Sequence, residues 1–144
     1  MKIENESKSY DKCILKNISL EIDKGIYRVE GENGSGKSTL LQLLAGLETF
    51  DNKIGDNYMT ASTGTKFKLG LSLIFAKNWD YIFIDETLST VDARSIDMIA
   101  KRLISMKESS TIIYVSHNLL NQELISKSQR ILIEEGRVYE ISNK

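Results

Sequence analysis

The sequence predicts an α/β fold with a mainly parallel central sheet flanked by helices, plus a small antiparallel β portion. Three observations predict it. Tyr81-Ile82-Phe83-Ile84 is a compact apolar run, and Thr111 to Val115 is another, each with the pattern of a strand buried on both faces. Helical periodicity separates such runs through the middle of the chain, which calls for parallel strands joined by helical crossovers. The length, 144 residues, fits one domain with one core, read as spanning 1–144.

Taken in order, Ile14, Leu15, Ile18, Leu20 and Ile22 alternate as a strand that ends at Lys24-Gly25, and a second strand runs from Ile26 to Glu30. Thr39 to Leu47 carries Leu40, Leu41, Leu43, Leu44 and Leu47 at helical spacing, with Gly46 near its end. Residues 48–60 are polar and turn-rich, with at most a short strand. A helix is expected from about Lys66 to Lys77. Another spans roughly Asp92 to Lys107, with Ile96, Ile99, Leu103 and Ile104 on one face. A helix near Leu119 to Ser126 precedes two short strands, Arg130 to Glu134 and Val138 to Ile141, joined by a turn at Glu135-Gly136. Proline is absent, so turns rely on Gly, Asn and Asp. There is no internal repeat, low-complexity tract or linker.

Composition narrows the function classes. Hydrophobic residues make up 41% and charged residues 27%, ordinary values for a soluble globular protein. A net charge of −1 argues against a strongly electrostatic partner, and the basic face of a duplex-binding protein is missing from the pattern. The one cysteine, Cys13, cannot form an internal disulfide. Its strand-like setting predicts a buried structural thiol, compatible with the cytosol. The N-terminus lacks the apolar stretch of a signal peptide. The longest apolar run, 69–76, is far too short to span a bilayer, so a membrane role calls for a partner that does the spanning.

The chemistry concentrates in Gly31-Glu32-Asn33-Gly34-Ser35-Gly36-Lys37-Ser38, between a strand and a leucine-rich helix. Glycines let consecutive backbone N–H groups turn inward onto phosphates, and the following helix adds its positive N-terminal dipole. Lys37 can reach the β- and γ-phosphates, the Ser38 hydroxyl is placed to coordinate Mg²⁺, and Thr39 lies beside the phosphates. The bland alternative, a chance Gly-Lys-Ser turn, does not account for the strand before and the helix after. Downstream, Asp85-Glu86 ends a core strand at the sheet edge where ligands sit. Asp85 suits Mg²⁺, through water, and Glu86 can polarise an attacking water as a general base. A strand-ending acidic turn is the other reading of this pair.

These residues together resemble the nucleotide-binding domain of the ABC ATPases, a P-loop NTPase core, over Tyr10 to Ile141. Gly31 to Thr39 looks like Walker A, with Asn33, Gly34, Ser35, Gly36, Lys37, Ser38 and Thr39 on the nucleotide. Ile82 to Glu86 looks like Walker B and its adjoining glutamate. Ser89-Thr90-Val91-Asp92 is similar to the D-loop. Val115-Ser116-His117 is similar to the H-loop, whose histidine contacts the γ-phosphate. Ser7-Lys8-Ser9-Tyr10 resembles the A-loop, which makes Tyr10 the candidate for adenine stacking. Ala61 to Lys66 resembles a variant of the signature motif, and Ser62 and Gly64 would then contact ATP held by a second subunit. An ordinary Ser N-cap is compatible with the same residues.

Only 24 residues separate Lys37 from Ser62. In the family this interval holds a helical subdomain and the Q-loop, which receive the transmembrane partner, so the domain is read as truncated between about 48 and 61. Thr87 also stands where a proline normally follows the acidic pair. The resemblance implies a cytoplasmic ATP-Mg²⁺ hydrolase with Glu86, His117 and Lys37 catalytic, Ser38 and Asp85 on the metal, and Asp92 near the nucleotide. It implies a homo- or heterodimer with ATP at the interface, held at the inner face of the membrane by a permease, with export of peptides or antibiotics as the expected task and no nucleic-acid partner. A regulatory module that binds ATP with little turnover is the alternative, and a soluble ABC ATPase of the DNA-maintenance or translation kind is a third.

Overall fold

A computed structural model describes residues 1–46, 74–85, 92–115 and 121–141. A two-stranded antiparallel ladder pairs β1 (Lys2–Ser9) with β2 (Cys13–Glu21). The central sheet contains β3 (Gly25–Gly31), β4 (Tyr81–Asp85), β5 (Thr111–Val115), β6 (Gln129–Glu134) and β7 (Arg137–Ile141), in the order β4-β5-β3-β6-β7. The pairs β4–β5, β5–β3 and β3–β6 are parallel, and only β6–β7 is antiparallel. Helices α1 (Lys37–Leu44), α2 (Ala93–Ser105) and α3 (Gln122–Ser126) follow strands. The predicted class is therefore the observed one: a mostly parallel sheet, helices, and a separate antiparallel ladder.

Period-2 alternation sends the sheet's side chains into two cores. Tyr27, Val29, Ile113, Val115, Ile131 and Ile133 meet the leucines of α1 and the inward residues Leu15, Ile18 and Leu20 of β2. On the opposite face, Ile82, Ile84, Ile112 and Tyr114 pack with Ile99, Ala100 and Leu103 of α2 and with Leu124 of α3. All five residues of β5 are buried, as its apolar run predicts. The leucine helix begins two residues earlier than its periodicity suggested and ends at Leu44, with the Gly46 N–H donating to Leu43 O at 3.1 Å. The Glu135-Gly136 turn is present, both residues with positive φ.

One element was not anticipated and one reading is corrected. β1 carries no expected strand signal, because Ile3 is its one apolar residue in a run that is otherwise polar and mostly exposed. It forms because β2 offers it a ladder, so its backbone rather than its side chains decides its state. Cys13 is exposed, not buried. It opens β2 on the outward side of the pleat opposite Ser9, and its thiol donates to Leu15 O at 3.4 Å.

The expectations on 48–60, on most of the helix over 66–77, on the truncation between 48 and 61, and on the D-loop residues before Asp92 fall outside the described residues. Residues 74–76 are helical. Arg102 of α2 donates to Lys77 O (3.1 Å) and Asn78 Oδ1 (3.0 Å) just beyond them. Among the described residues, no helix is long and apolar enough to cross a membrane.

Candidate functional site

Parallel pairing brings strand ends together. Asp85 of β4 stands level with Val115 of β5, and Val115 with Val29 of β3, and β3 runs two residues further, to Gly31, before the loop leaves it. This is the carboxyl edge of an open parallel sheet, where ligands bind.

The loop's glycines are demanded by space as well as by chemistry. A Cβ on Gly31 would lie 2.5 Å from both Ile133 O and Ser35 Oγ, on a backbone with φ of +150°. Gly36, at φ +103°, would meet Ile14 and Leu15 at 3.0 Å. It is the N-cap of α1, and no side chain caps that helix. The first-turn N–H groups of α1 therefore remain for an anion, together with the helix's partial positive end. Asn33 and Gly34 are exposed, Ser35 and Thr39 half-buried. The Ser35 Oγ is buried and has no partner among the described residues.

Lys37 is 6% exposed, and its ammonium donates to Gly31 O (3.0 Å) and Glu32 O (2.8 Å). Those carbonyls hold the charge inside the arc of the loop. A polyphosphate arriving there meets a positioned cation and aligned N–H donors. Ser38 Oγ donates to Asp85 Oδ1 at 3.2 Å, joining two residues 47 apart in sequence. Adjacent ligands on an octahedral Mg²⁺ with bonds of about 2.1 Å stand about 3 Å apart, so this hydroxyl–carboxylate pair fits one edge of such a shell. Both are hard oxygen donors, as Mg²⁺ requires.

The remaining expected residues divide. Tyr10, in the β1–β2 turn, is 51% exposed, with the Lys8 ammonium 4.9 Å from its ring centroid. Asp92 is the N-cap of α2. Its Oδ1 accepts from Ser95 N (3.0 Å) and its Oδ2 from Ser95 Oγ (2.7 Å), and these hydrogen bonds, the hydroxyl's first, hold its carboxyl below the usual range. The described geometry thus gives Asp92 a capping task and brings it to no atom of the loop. Ser62, Gly64, Glu86 and His117 lie outside the described residues.

Sequence reasoning missed a charged row beneath the loop. Glu30, just before Gly31, pairs with Arg28 on its own strand and accepts from Arg130 Nη2 (2.6 Å) and Nε (3.1 Å) on β6. Burial alone would raise the Glu30 carboxyl, but the Arg130 hydrogen bonds and the Arg28 charge outweigh it and hold it below the ordinary value. The available signal was three charged residues in segments read as core strands. The buried Lys8 also went unread, because nothing local marks a lysine that a neighbouring strand will cover.

Comparisons with known proteins converge on this site. Residues 15–52, which contain most of β2 together with β3, the loop and α1, match the family described as ABC transporter. A phosphonates import ATP-binding protein of Fusobacterium nucleatum is 42% identical over 87 residues, covering 59% of this chain and 34% of that protein. A lantibiotic transport ATP-binding protein of Streptococcus pyogenes is 49% identical over 49 residues, covering 33% of this chain and 21% of that one. The chain thus spans about a third or less of these curated relatives. In fold it is similar to an ATP-binding cassette solved as a dimer in a post-hydrolysis state bound to ADP and Pi. That match has a TM-score of 0.73 and 18% identity, and covers 99% of this chain and 98% of that one. With its phosphate loop and parallel sheet, the chain is similar to the ABC-type nucleotide-binding domains, in sequence over residues 15–52 and in fold over its length.

Proposed function

We propose that the chain binds ATP with Mg²⁺ and hydrolyses it as a nucleotide-binding subunit of an ABC transporter. The observation that carries this reading is the meeting of Ser38 and Asp85 at 3.2 Å beside the Lys37 ammonium, under an uncapped helix N-terminus. Lys37 and the backbone donors of Gly34 to Thr39, with Asn33 at the loop's mouth, hold the β- and γ-phosphates. Ser38 and Asp85 would hold the metal, which supplies charge neutralisation across the phosphates when bound. Glu86 follows Asp85 directly and orients the attacking water as general base. His117, two residues past the end of β5, contacts the γ-phosphate. Tyr10 stacks on adenine.

The half-site character rests on Ser62 and Gly64, which in this reading complete the ATP site of a second ABC domain, with Asp92 near the shared nucleotide. Binding then closes a dimer and hydrolysis reopens it, a population shift driven by ligand. A permease places the subunit at the inner face of the membrane. Export of a peptide or antibiotic is the task we favour, supported by the signature variant at Ser62–Gly64 and by the lantibiotic transport relative. The short interval between Lys37 and Ser62 favours a second reading, a module that binds ATP and regulates a full-length partner.

Steady-state hydrolysis of wild type and Glu86→Gln separates the two. Turnover at least tenfold above the variant, dependent on Mg²⁺, supports the hydrolase (order of magnitude for a lost general base). Equal, slow turnover in both would discard it in favour of the module. Association with membranes that detergent abolishes supports the transport assignment, and salt-sensitive nucleic-acid binding would contradict it.

A further inference from the structure

The β1–β2 ladder is irregular where it approaches the phosphate loop. Its register slips between Glu6 and Lys8 and again between Lys8 and Ser9. At the first slip Asn17 takes φ of 46°, and its N–H donates to Ser7 Oγ at 2.9 Å. Such a bulge re-aims the side chains beyond it. Lys8 consequently stands opposite the fully buried Leu15 and is itself only 4% exposed. A lysine covered to this degree is unusual.

Its ammonium lies over the Tyr10 ring, 4.9 Å from the centroid and within the range of a cation–π contact. The ring remains 51% exposed. One of its faces is therefore set on a buried cation while the rest of the ring meets solvent. The same strand pair also touches the loop, because Leu15 and Ile14 are the side chains against which Gly36 packs. Platform and loop are thus held at a fixed offset through β2.

We propose that Lys8 is a positioning residue for the nucleotide base: its ammonium fixes Tyr10 as a one-sided platform and makes binding depend on a purine. This rests on the reading of Tyr10 as the base contact. A cation beneath the ring draws π density toward itself, so the open face stacks best on an electron-rich, extended base. Lys8 acts through Tyr10 and contributes nothing to the phosphates.

The test is a set of equilibrium titrations on the full chain with Mg²⁺ and ATP, CTP or inorganic tripolyphosphate. Tyr10→Ala is expected to weaken ATP roughly tenfold, the scale of one stacked base. Lys8→Met is expected to weaken it about three- to fivefold and to narrow the preference for ATP over CTP, while Lys8→Arg keeps both. Tripolyphosphate affinity stays constant throughout, and the double variant binds ATP no more weakly than Tyr10→Ala alone. If Lys8→Met fails to fold, Lys8→Gln carries the same readouts. The proposal is overturned if Lys8 variants weaken ATP and tripolyphosphate equally, if the two substitutions add, or if Lys8→Met binds ATP as wild type does while Tyr10→Ala does not. A Tyr10→Ala protein with wild-type ATP affinity overturns the base-contact reading itself, and the Lys8 proposal with it.

Discussion

In the proposed function, the central sheet and the β1–β2 ladder deliver different halves of one site by different means. In the sheet, β3, β4 and β5 are held by parallel pairing and by apolar cores on both faces, so Gly31, Asp85 and Val115 are aligned by the same forces that fold the domain. In the ladder, β1 is mostly exposed, and the position of Tyr10 depends on bulges, one buried lysine and a few hydrogen bonds. On that reading, phosphate chemistry rests on the most strongly determined backbone among the described residues, and base recognition on a weakly determined one. The lesson is that affinity for the triphosphate should be robust to surface change, while base preference should be tunable.

The sharpest test of the sheet half is Lys37→Ala. It removes the buried cation and leaves Gly31 O and Glu32 O without their donor. Nucleotide affinity should fall roughly a hundredfold or more, the scale of losing a positioned charge at a phosphate site. Equilibrium binding with ATP and tripolyphosphate checks it, and both should fall together.

Gly36→Ala attacks the seam between the two regions. The added methyl meets Ile14 and Leu15 at 3.0 Å on a backbone that disfavours side chains, so stability should drop by about 1–3 kcal/mol. Denaturant unfolding measures that loss. Phosphate binding should weaken as well, whereas intact affinity would show that the loop is independent of the ladder.

Beneath the loop, Glu30→Gln should cost about 1 kcal/mol at neutral pH, a modest value because Arg130 is 40% exposed and solvent screens the pair. The sign follows from a carboxyl whose folded value is lowered. Its stabilisation is complete above the ordinary value of 4.5 and is lost as the pH falls through the lower folded value. The difference between wild type and Glu30→Gln should therefore vanish in acid. A gap that persists would place the effect in packing.

The smallest effect is expected at Asp92. Asp92→Ala should lower the thermal midpoint slightly while Asp92→Asn, which still caps Ser95 N, should not. Because the Asp92 carboxyl is also lowered, the advantage of wild type over Asp92→Ala should shrink as the pH falls below the ordinary aspartate value.

Much of this was legible beforehand where local pattern and tertiary setting agree. The apolar run at Thr111–Val115 became a strand buried on both faces as expected, whereas Tyr81–Asp85 became the end strand of the described sheet, with Ile82 and Ile84 buried on one face and Tyr81 exposed on the other. The spacing from Gly31 to Ser38 specified the loop, since the glycines are needed for backbone shape and the lysine and serine for charge and metal. The pairing of Ser38 with Asp85 was expected from the motifs and is seen as a hydrogen bond. Cys13 was misread because strand-like composition does not say which side of a pleat faces water, and β1 went unread because nothing local says that a polar run will be offered a partner.

The sequence by itself thus determined the phosphate loop, the order of strands and helices from β2 onward, and the Ser38–Asp85 pair proposed to hold the metal. These follow from local spacing and from the period of apolar residues, both written along one stretch of chain. Only the tertiary structure decided that Glu30 is held between two arginines and that Lys8 lies covered beneath Tyr10. Those facts depend on ladder register. A slip of one residue turns a side chain from solvent to interior, and nothing in the local sequence of β1 records the bulges that set it.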